Sequence, residues 1–311
     1  MIGERPATGR APIVVIANPV AGRGKAGRLI GAATTYLREL RVDHEVQVAG
    51  SAGELESRCR AAAGAGAEIV AVIGGDGTVS CAVNGLVGTG AALAVLPAGT
   101  GDDFAAAIGA RPFRSAVRLL ADPTIVTIDA ARVRTSEGER HFVNIAGAGF
   151  DSEVSEAANA MTVNLGGTAT YVVALVRTLS RFTPARYTLD VDGASIETDA
   201  MLVVIGNGRS YGGGMTVLPD ASLVDGMLDL CIVEALTRGA FLRAFPKVFM
   251  GRHTTHPKVR MLRAKSVTLD AGRGVQVYAD GERVGGLPAS FHVMPGALRV
   301  VAGPDAKGLR R

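Results

Sequence analysis

The chain contains no tryptophan, and its five tyrosines and nine phenylalanines leave only 5% aromatic residues in 311. Platforms for stacking bases are scarce, so nucleic acid is not an expected partner. Cysteine is almost as rare: Cys59, Cys81 and Cys231 lie far apart and form no C-x-x-C pair. That spacing indicates neither a disulfide framework nor a zinc site, and it fits a reducing cytoplasm. No apolar run approaches the roughly 18 residues a membrane span needs. The stretch Met1 to Pro12 is polar and lacks the apolar core of a signal peptide. No block of like charge dominates either, since 33 basic residues face 29 acidic ones for a net charge of +4. An excess of that size suits phosphorylated ligands or an anionic lipid surface.

What is plentiful is apolar surface, at 48%, and glycine, at 41 residues against 13 prolines with no fixed period. The length fits two domains, and the glycines imply many tight turns and open backbone loops. Ile13 to Ala17 is a β-branched run, followed by a Gly-rich turn and by Lys25 to Leu40 with apolar residues at helical spacing. Further strands are predicted at His44 to Val48, Glu68 to Ile73 and Leu93 to Leu96. Helices are predicted at Glu54 to Ala63 and from about Thr78, with a further loop and helix over Gly99 to Ile108. This alternation predicts an α/β domain with a parallel sheet, whose ligands bind at the carboxyl ends of the strands.

After Pro123 period-two runs take over, at Ile125 to Val133, Phe142 to Ile145, Tyr187 to Val191, Met201 to Ile205, Leu228 to Val233, Val267 to Leu269 and Val275 to Tyr278. They predict a mostly antiparallel β-sandwich, interrupted by helices near Thr168 to Ser180 and Arg238 to Met250. The boundary is placed near Ala131, giving domains over 11–131 and 132–296, with a last strand over 297–302 returning to the first domain.

Three loops carry candidate chemistry. Gly74-Gly75-Asp76-Gly77-Thr78 follows a buried strand, where missing side chains let N–H groups reach phosphate oxygens and the next helix offers its positive end. A carboxylate there, Asp76, implies Mg²⁺, because it is unfavourable beside phosphate unless a divalent cation or a proton intervenes; the alternative is a Gly-rich turn in which Asp76 merely caps a helix. Leu96-Pro97-Ala98-Gly99-Thr100-Gly101-Asp102-Asp103-Phe104 repeats the logic, although either aspartate could simply cap a helix. In Asn18-Pro19-Val20-Ala21-Gly22-Arg23-Gly24-Lys25, Arg23 or Lys25 can neutralise charge built up during transfer, or can merely be solvated. Late in the chain, Asp280-Gly281 reads as a hairpin turn, which does not account for Glu282, although solvent-facing glutamates are common.

These motifs together resemble the diacylglycerol kinase catalytic-domain family: N-P-x-x-G at Asn18 to Gly22, G-G-D-G-T at Gly74 to Thr78, L-P-x-G-T-x-x-D-F-A at Leu96 to Ala105 and D-G-E at Asp280 to Glu282. Asn207 to Gly214, then Pro219 and Asp225 to Asp229, are similar to its second domain. The resemblance, which extends to the sphingosine kinases and covers the chain beyond Pro12, implies a lipid kinase using ATP and Mg²⁺ between two domains. By resemblance, Gly74, Gly75, Asp76, Gly77, Thr78, Val79, Ser80, Ser51 and Thr100 contact ATP. Asp76 and Asp103 hold catalytic Mg²⁺ through water, with Asp129 as a supporting carboxylate. Glu282 is the general base for the lipid hydroxyl. Ser222, Asp225 and Met227 form a structural Mg²⁺ site, Asp225 by its side chain and the others by carbonyls. One departure is Asp102, where the family usually has Asn.

The implied substrate is diacylglycerol or a related lipid, met by a cytoplasmic protein peripherally and transiently at the inner membrane face; a homodimer is compatible. Phe241, Leu242, Phe245, Val248 and Phe249 share one predicted helical face, with Arg252, His253, His256, Lys258, Arg260, Arg263 and Lys265 close behind. That face can be either core or a membrane contact. Three other readings compete. Gly22 to Gly27 satisfies G-x-G-x-x-G, the fingerprint of a dinucleotide-dependent oxidoreductase, but four residues separate it from the strand. A small-molecule kinase of the NAD kinase or phosphofructokinase type uses a similar G-G-D-G loop, and a non-enzymatic binding protein ranks third.

Overall fold

A computed structural model of the protein describes residues 12–22, 24–150, 152–154, 167–271 and 274–309. The β-branched run Ile13–Ala17 forms β1, which is wholly buried. It lies parallel between β2 (His44–Val48) and β3 (Ile69–Gly74), and β3 is followed by β4 (Ala92–Pro97). Near-continuous apolar sequence in β1, β3 and β4 reflects burial on both faces, as in other parallel sheets. The helices are α1 (Lys25–Glu39), α2 (Ala52–Gly64), α3 (Asp76–Leu86), α4 (Asp103–Ala107) and α5 (Phe113–Leu119). Helix α1 buries Ala26, Ala33 and Leu37 along one stripe, whereas α3 buries nearly every residue. That is why α3 carries small and apolar side chains all round.

Two long strands lead out of this parallel half. Strand β5 (Thr124–Arg134) runs antiparallel to β15 (Ala289–Ala302) over nearly their full lengths, and the far end of β15 lies parallel to β4. The antiparallel part comprises β6 (Glu139–Phe142), β7 (Ile145–Gly149), β8 (Ala185–Val191), β9 (Ala194–Gly206), β10 (Leu228–Glu234), β11 (Val259–Ala264), β12 (Ser266–Asp270), β13 (Gln276–Ala279) and β14 (Glu282–Gly286). The continuous path is β14-β13-β7-β9-β8-β12-β15-β4-β3-β1-β2, with β10 on β9 and β6 on β5. Strand β8 alternates cleanly, Tyr187, Leu189 and Val191 inward and their neighbours outward. The end of β9 is buried on both faces: Val203 and Ile205 enter one core, Leu202 and Val204 another. The second of these cores also receives α6 (Gly167–Leu179) and α7 (Arg238–Ala244).

The structure departs from the sequence expectations at identifiable points. Helix α3 begins at Asp76 rather than Thr78. The strand expected over Phe142 to Ile145 is cut into β6 and β7, because the amides of Val143 and Asn144 turn to a side chain, Asp280, instead of a strand. The helix expected over Arg238 to Met250 stops at Ala244 and continues as a 3₁₀ turn, Phe245–Met250, with Pro246 in its first turn. Its single apolar face is thereby split: Phe241 and Val248 are buried, while Leu242 and Phe249 are exposed. The basic stretch holding Arg260 and Arg263 is a strand, β11, paired along β10.

Candidate active site

Because β1, β3 and β4 are neighbours, the loops leaving their carboxyl ends meet. Ala98 N–H donates to Gly74 O at 2.8 Å, tying the second and third loops together. Gly22, at φ +58°, approaches the third loop so closely that a Cβ there would stand 2.5 Å from Ala98 O. At Gly74 an added Cβ would lie 2.0 Å from Thr78 Oγ1, and at Gly99 it would lie 2.8 Å from Gly75 Cα. Glycine is required at these positions by backbone and side-chain crowding. Lys25 Nζ donates to Gly99 O at 3.4 Å, and Asn18 Oδ1 accepts from Val20 N–H, closing the first loop on itself. Arg23 lies outside the described residues.

Around this floor stand the carboxylates. Asp76 and Asp103 each open a helix, and both converge on Gly101: a Cβ there would be 2.9 Å from Asp76 Oδ2 and 3.4 Å from Asp103 Oδ2. Asp103 Oδ2 accepts from Gly213 N–H at 2.8 Å, and Asp76 Oδ1 from Phe104 N–H at 3.4 Å. Burial first, and then the charges of Asp103, Asp102 and Asp280, push Asp76 up to about 6, with the Phe104 N–H opposing. Asp102 sits at φ +51° and accepts from Gly99 N–H at 2.9 Å, so it shapes the loop from within; burial raises it too.

Glu282 is the first residue of β14, exposed, and beside Gly77, where an added Cβ would come to 3.5 Å from Glu282 Oε1. It is delivered there by the Asp280-Gly281 turn, both of whose residues have positive φ, as tight hairpins with primed turns demand. Asp280 does more than turn the chain. Its carboxylate accepts from the N–H groups of Val143, Asn144 and Ile145, at 2.9, 3.1 and 3.0 Å. Burial raises Asp280 to about 6, against the pull of those amides. Sequence reasoning missed this role, since Asp-Gly alone looks like an ordinary turn. It missed Gly213 as well, whose Gly212-Gly213-Gly214 run, all at positive φ, was the available signal.

Other predicted residues have local duties. Ser51 Oγ caps α2 by accepting from Glu54 N–H, while Glu54 reaches back to Gly50 N–H. Val79 lies in the core and Ser80 is buried. Thr100 falls in the third loop between Gly99 and Gly101. Asp129 accepts from Gly226 and Gly296 N–H, at 2.7 and 2.8 Å, where the β5/β15 register shifts. Asp225 Oδ1 accepts from Met227 N–H, and its other oxygen bonds Arg263, which also faces Asp229. Ser222 is buried close by in sequence. Asp229 Oδ2 is buried without a hydrogen-bond partner, and burial raises Asp229 to about 6. An orphaned carboxylate oxygen in that setting is compatible with a cation near Asp225.

An apolar cavity, open on one side, lies beyond the carboxylates. Its walls include Phe150, Leu202, Phe241, Phe245, Tyr211 and Met215. Tyr211 and Met215 pair with each other across the glycine turn whose Gly213 holds Asp103, so one short loop touches both cavity and carboxylate. Among the described residues no cluster of three or more His, Cys, Asp or Glu forms a metal cage. No helix among them is long and apolar enough to cross a membrane.

The chain is similar to known proteins over nearly its whole length. Residues 12–133 match the family model of the diacylglycerol kinase catalytic domain, and residues 144–302 match that of the YegS C-terminal NAD kinase beta sandwich-like domain. The chain is 36% identical over 293 residues to a diacylglycerol kinase of Mycobacterium tuberculosis (strain H37Rv), covering 93% of this chain and 94% of the relative. It is 29% identical over 297 residues to a probable lipid kinase YegS of Salmonella newport, covering 93% and 96%. The crystal structure of a putative diacylglycerol kinase from Bacillus anthracis superposes with a TM-score of 0.79 at 25% identity, covering 94% of this chain and 97% of that one.

Proposed function

Because the chain belongs to the diacylglycerol kinase catalytic-domain family, we propose that it transfers the γ-phosphate of ATP to the hydroxyl of diacylglycerol or a closely related lipid. The observation that carries this reading is the position of Glu282, an exposed carboxylate brought beside Gly77 of the Asp76 loop from the antiparallel half of the protein. A nucleotide-binding turn needs no such residue; a phosphoryl transfer to an alcohol does, as the group that takes the hydroxyl proton.

The loops at Asn18 to Lys25, Gly74 to Thr78 and Gly99 to Asp103 bind the triphosphate through backbone N–H groups, helped by the N-terminal end of α3. Lys25, already at Gly99, adds positive charge where the transferred group develops negative charge. Asp76 and Asp103 are a donor set that suits Mg²⁺, which binds through one or two carboxylates plus phosphates and waters rather than in an all-protein cage. When bound, Mg²⁺ neutralises phosphate charge. Asp225, with the carbonyls of Ser222 and Met227, is a second candidate for Mg²⁺, in a structural role. The apolar cavity lodges hydrocarbon of the lipid, and its loop link to Asp103 sets the hydroxyl near the carboxylates.

The test is an assay with labelled ATP and Mg²⁺ in which diacylglycerol, sphingosine, ceramide and NAD are offered in parallel. Phosphatidic acid is the expected product. Glu282→Ala should lower kcat by about 10²–10⁴-fold while ATP affinity stays nearly constant; loss of ATP affinity instead would assign Glu282 to the nucleotide site.

A further inference from the structure

Seven large apolar side chains stand exposed among the described residues, and three of them, Leu242, Phe249 and Met250, fall within nine consecutive positions. Met250 is 62% exposed. On the same stretch Arg238, Arg243, Lys247 and Arg252 are exposed, and none of the four is in an ion pair among the described residues. The charge is one-sided over a longer span: from Ala235 to Ser266 there are eight lysines and arginines and no aspartate or glutamate. Among the described residues, only Lys258 and Arg263 of these eight meet acidic partners, Glu234 for the first and Asp225 and Asp229 for the second.

The stretch is also the outer wall of the apolar cavity. Phe241, Ala244, Phe245 and Val248 line the cavity from inside, while Arg238 and Leu242, four residues apart on α7, share the opposite, exposed face. The proline-broken turn therefore presents two apolar surfaces, one inward and one outward, with cations around the outward one. An acidic nucleic acid would use the cations and leave the apolar tips in water. A bilayer with anionic headgroups satisfies both, as apolar residues enter the boundary between headgroups and acyl chains and cations remain at the headgroup level.

We infer that Arg238 to Arg252 is the surface by which this protein docks on an anionic phospholipid bilayer, with Leu242, Phe249 and Met250 entering it. The docking itself stands on the surface; its purpose, bringing the cavity mouth to a membrane-resident substrate, rests on the lipid-kinase reading above.

The experiment uses the full chain with vesicles of phosphatidylcholine, with and without phosphatidylglycerol. Wild type should sediment with the anionic vesicles only, and less so as salt rises. Leu242→Ser/Phe249→Ser/Met250→Ser and, separately, Arg243→Glu/Lys247→Glu/Arg252→Glu should each lose about tenfold or more in vesicle affinity. Val48→Ser, on the distant β2 edge, should lose none. Circular dichroism, and activity on a short-chain, monomeric diacylglycerol within about twofold of wild type, would show that the variants fold and that their basal machinery is intact. Unchanged vesicle binding by both triple variants, or wild-type indifference to anionic vesicles, would overturn the inference. If vesicle binding falls as expected but no form phosphorylates the short-chain lipid, the docking surface stands and the assignment of substrate fails.

Discussion

Asp76 and Asp280 are the residues whose chemistry depends most on what surrounds them. Both are held up to about 6 from an ordinary 3.8, chiefly by burial. In the cation-free protein the folded state therefore keeps protons that the unfolded chain releases across this window. Stability is highest below about 3.8 in this contribution and is lost as pH rises through about 6. A divalent cation favours the carboxylate forms, so the rise in Tm on adding Mg²⁺ should be larger on the alkaline side of that window than on its acid side. Thermal melts with and without Mg²⁺ measure this directly. Gly74→Ala should be severe, because its Cβ would meet Thr78 Oγ1 at 2.0 Å in the middle of the loop. It is expected to abolish ATP binding, read by nucleotide titration, even where the protein still folds. Asp102→Asn, by contrast, should leave kcat/KM within about tenfold of wild type. Its Oδ1 can still accept from Gly99 N–H, and asparagine tolerates positive φ.

At the scale of elements, the β13–β14 hairpin has to deliver Glu282 to α3, and its anchor is the corner between β6 and β7. Asp280 holds three amides of that corner, and Asn84 on α3 exchanges hydrogen bonds with the backbone of His141 on β6, both at 2.9 Å. The hairpin and the nucleotide helix are thus fastened to the same strand pair. Asp280→Ala leaves three buried donors without an acceptor and should cost about 3 kcal/mol or more of unfolding free energy, at roughly 1 to 3 kcal/mol for each orphaned group. Urea unfolding monitored by circular dichroism checks it, and activity should fall with it through Glu282. None of this could be foreseen from Asp-Gly in a turn: the partner amides lie about 136 positions away in the chain.

For the whole molecule, β15 is the shared member. It lies against β12 and β5 at one end and against β5 and β4 at the other, so the parallel half borrows the last strand of the chain to cover the edge of β4. A fragment ending at Arg134 would expose β4 and strip β5 of both its partners, β6 and β15. We expect it to aggregate or remain molten, whereas the intact chain unfolds in one cooperative transition in urea. Two separate transitions with an independently folded N-terminal fragment would show that the halves are autonomous.

Periodicity and glycine placement in the sequence determined the parallel half and most of the antiparallel strands. Those signals are local, set by side chains two, three or four residues apart along Ile69–Gly74 or Ala185–Val191. The same local logic read the phosphate loops, because glycine after a buried strand is a statement about one turn of backbone. Tertiary structure alone decided which loop residues meet. Glu282 reaches Gly77, Gly213 reaches Asp103, Asp280 reaches Val143 to Ile145, and the helix expected over Arg238 to Met250 is broken at Pro246 into a wall with an inner and an outer face. Those contacts join residues far apart in the chain, and their energies come from burial and from hydrogen bonds that only the assembled sheet brings within reach.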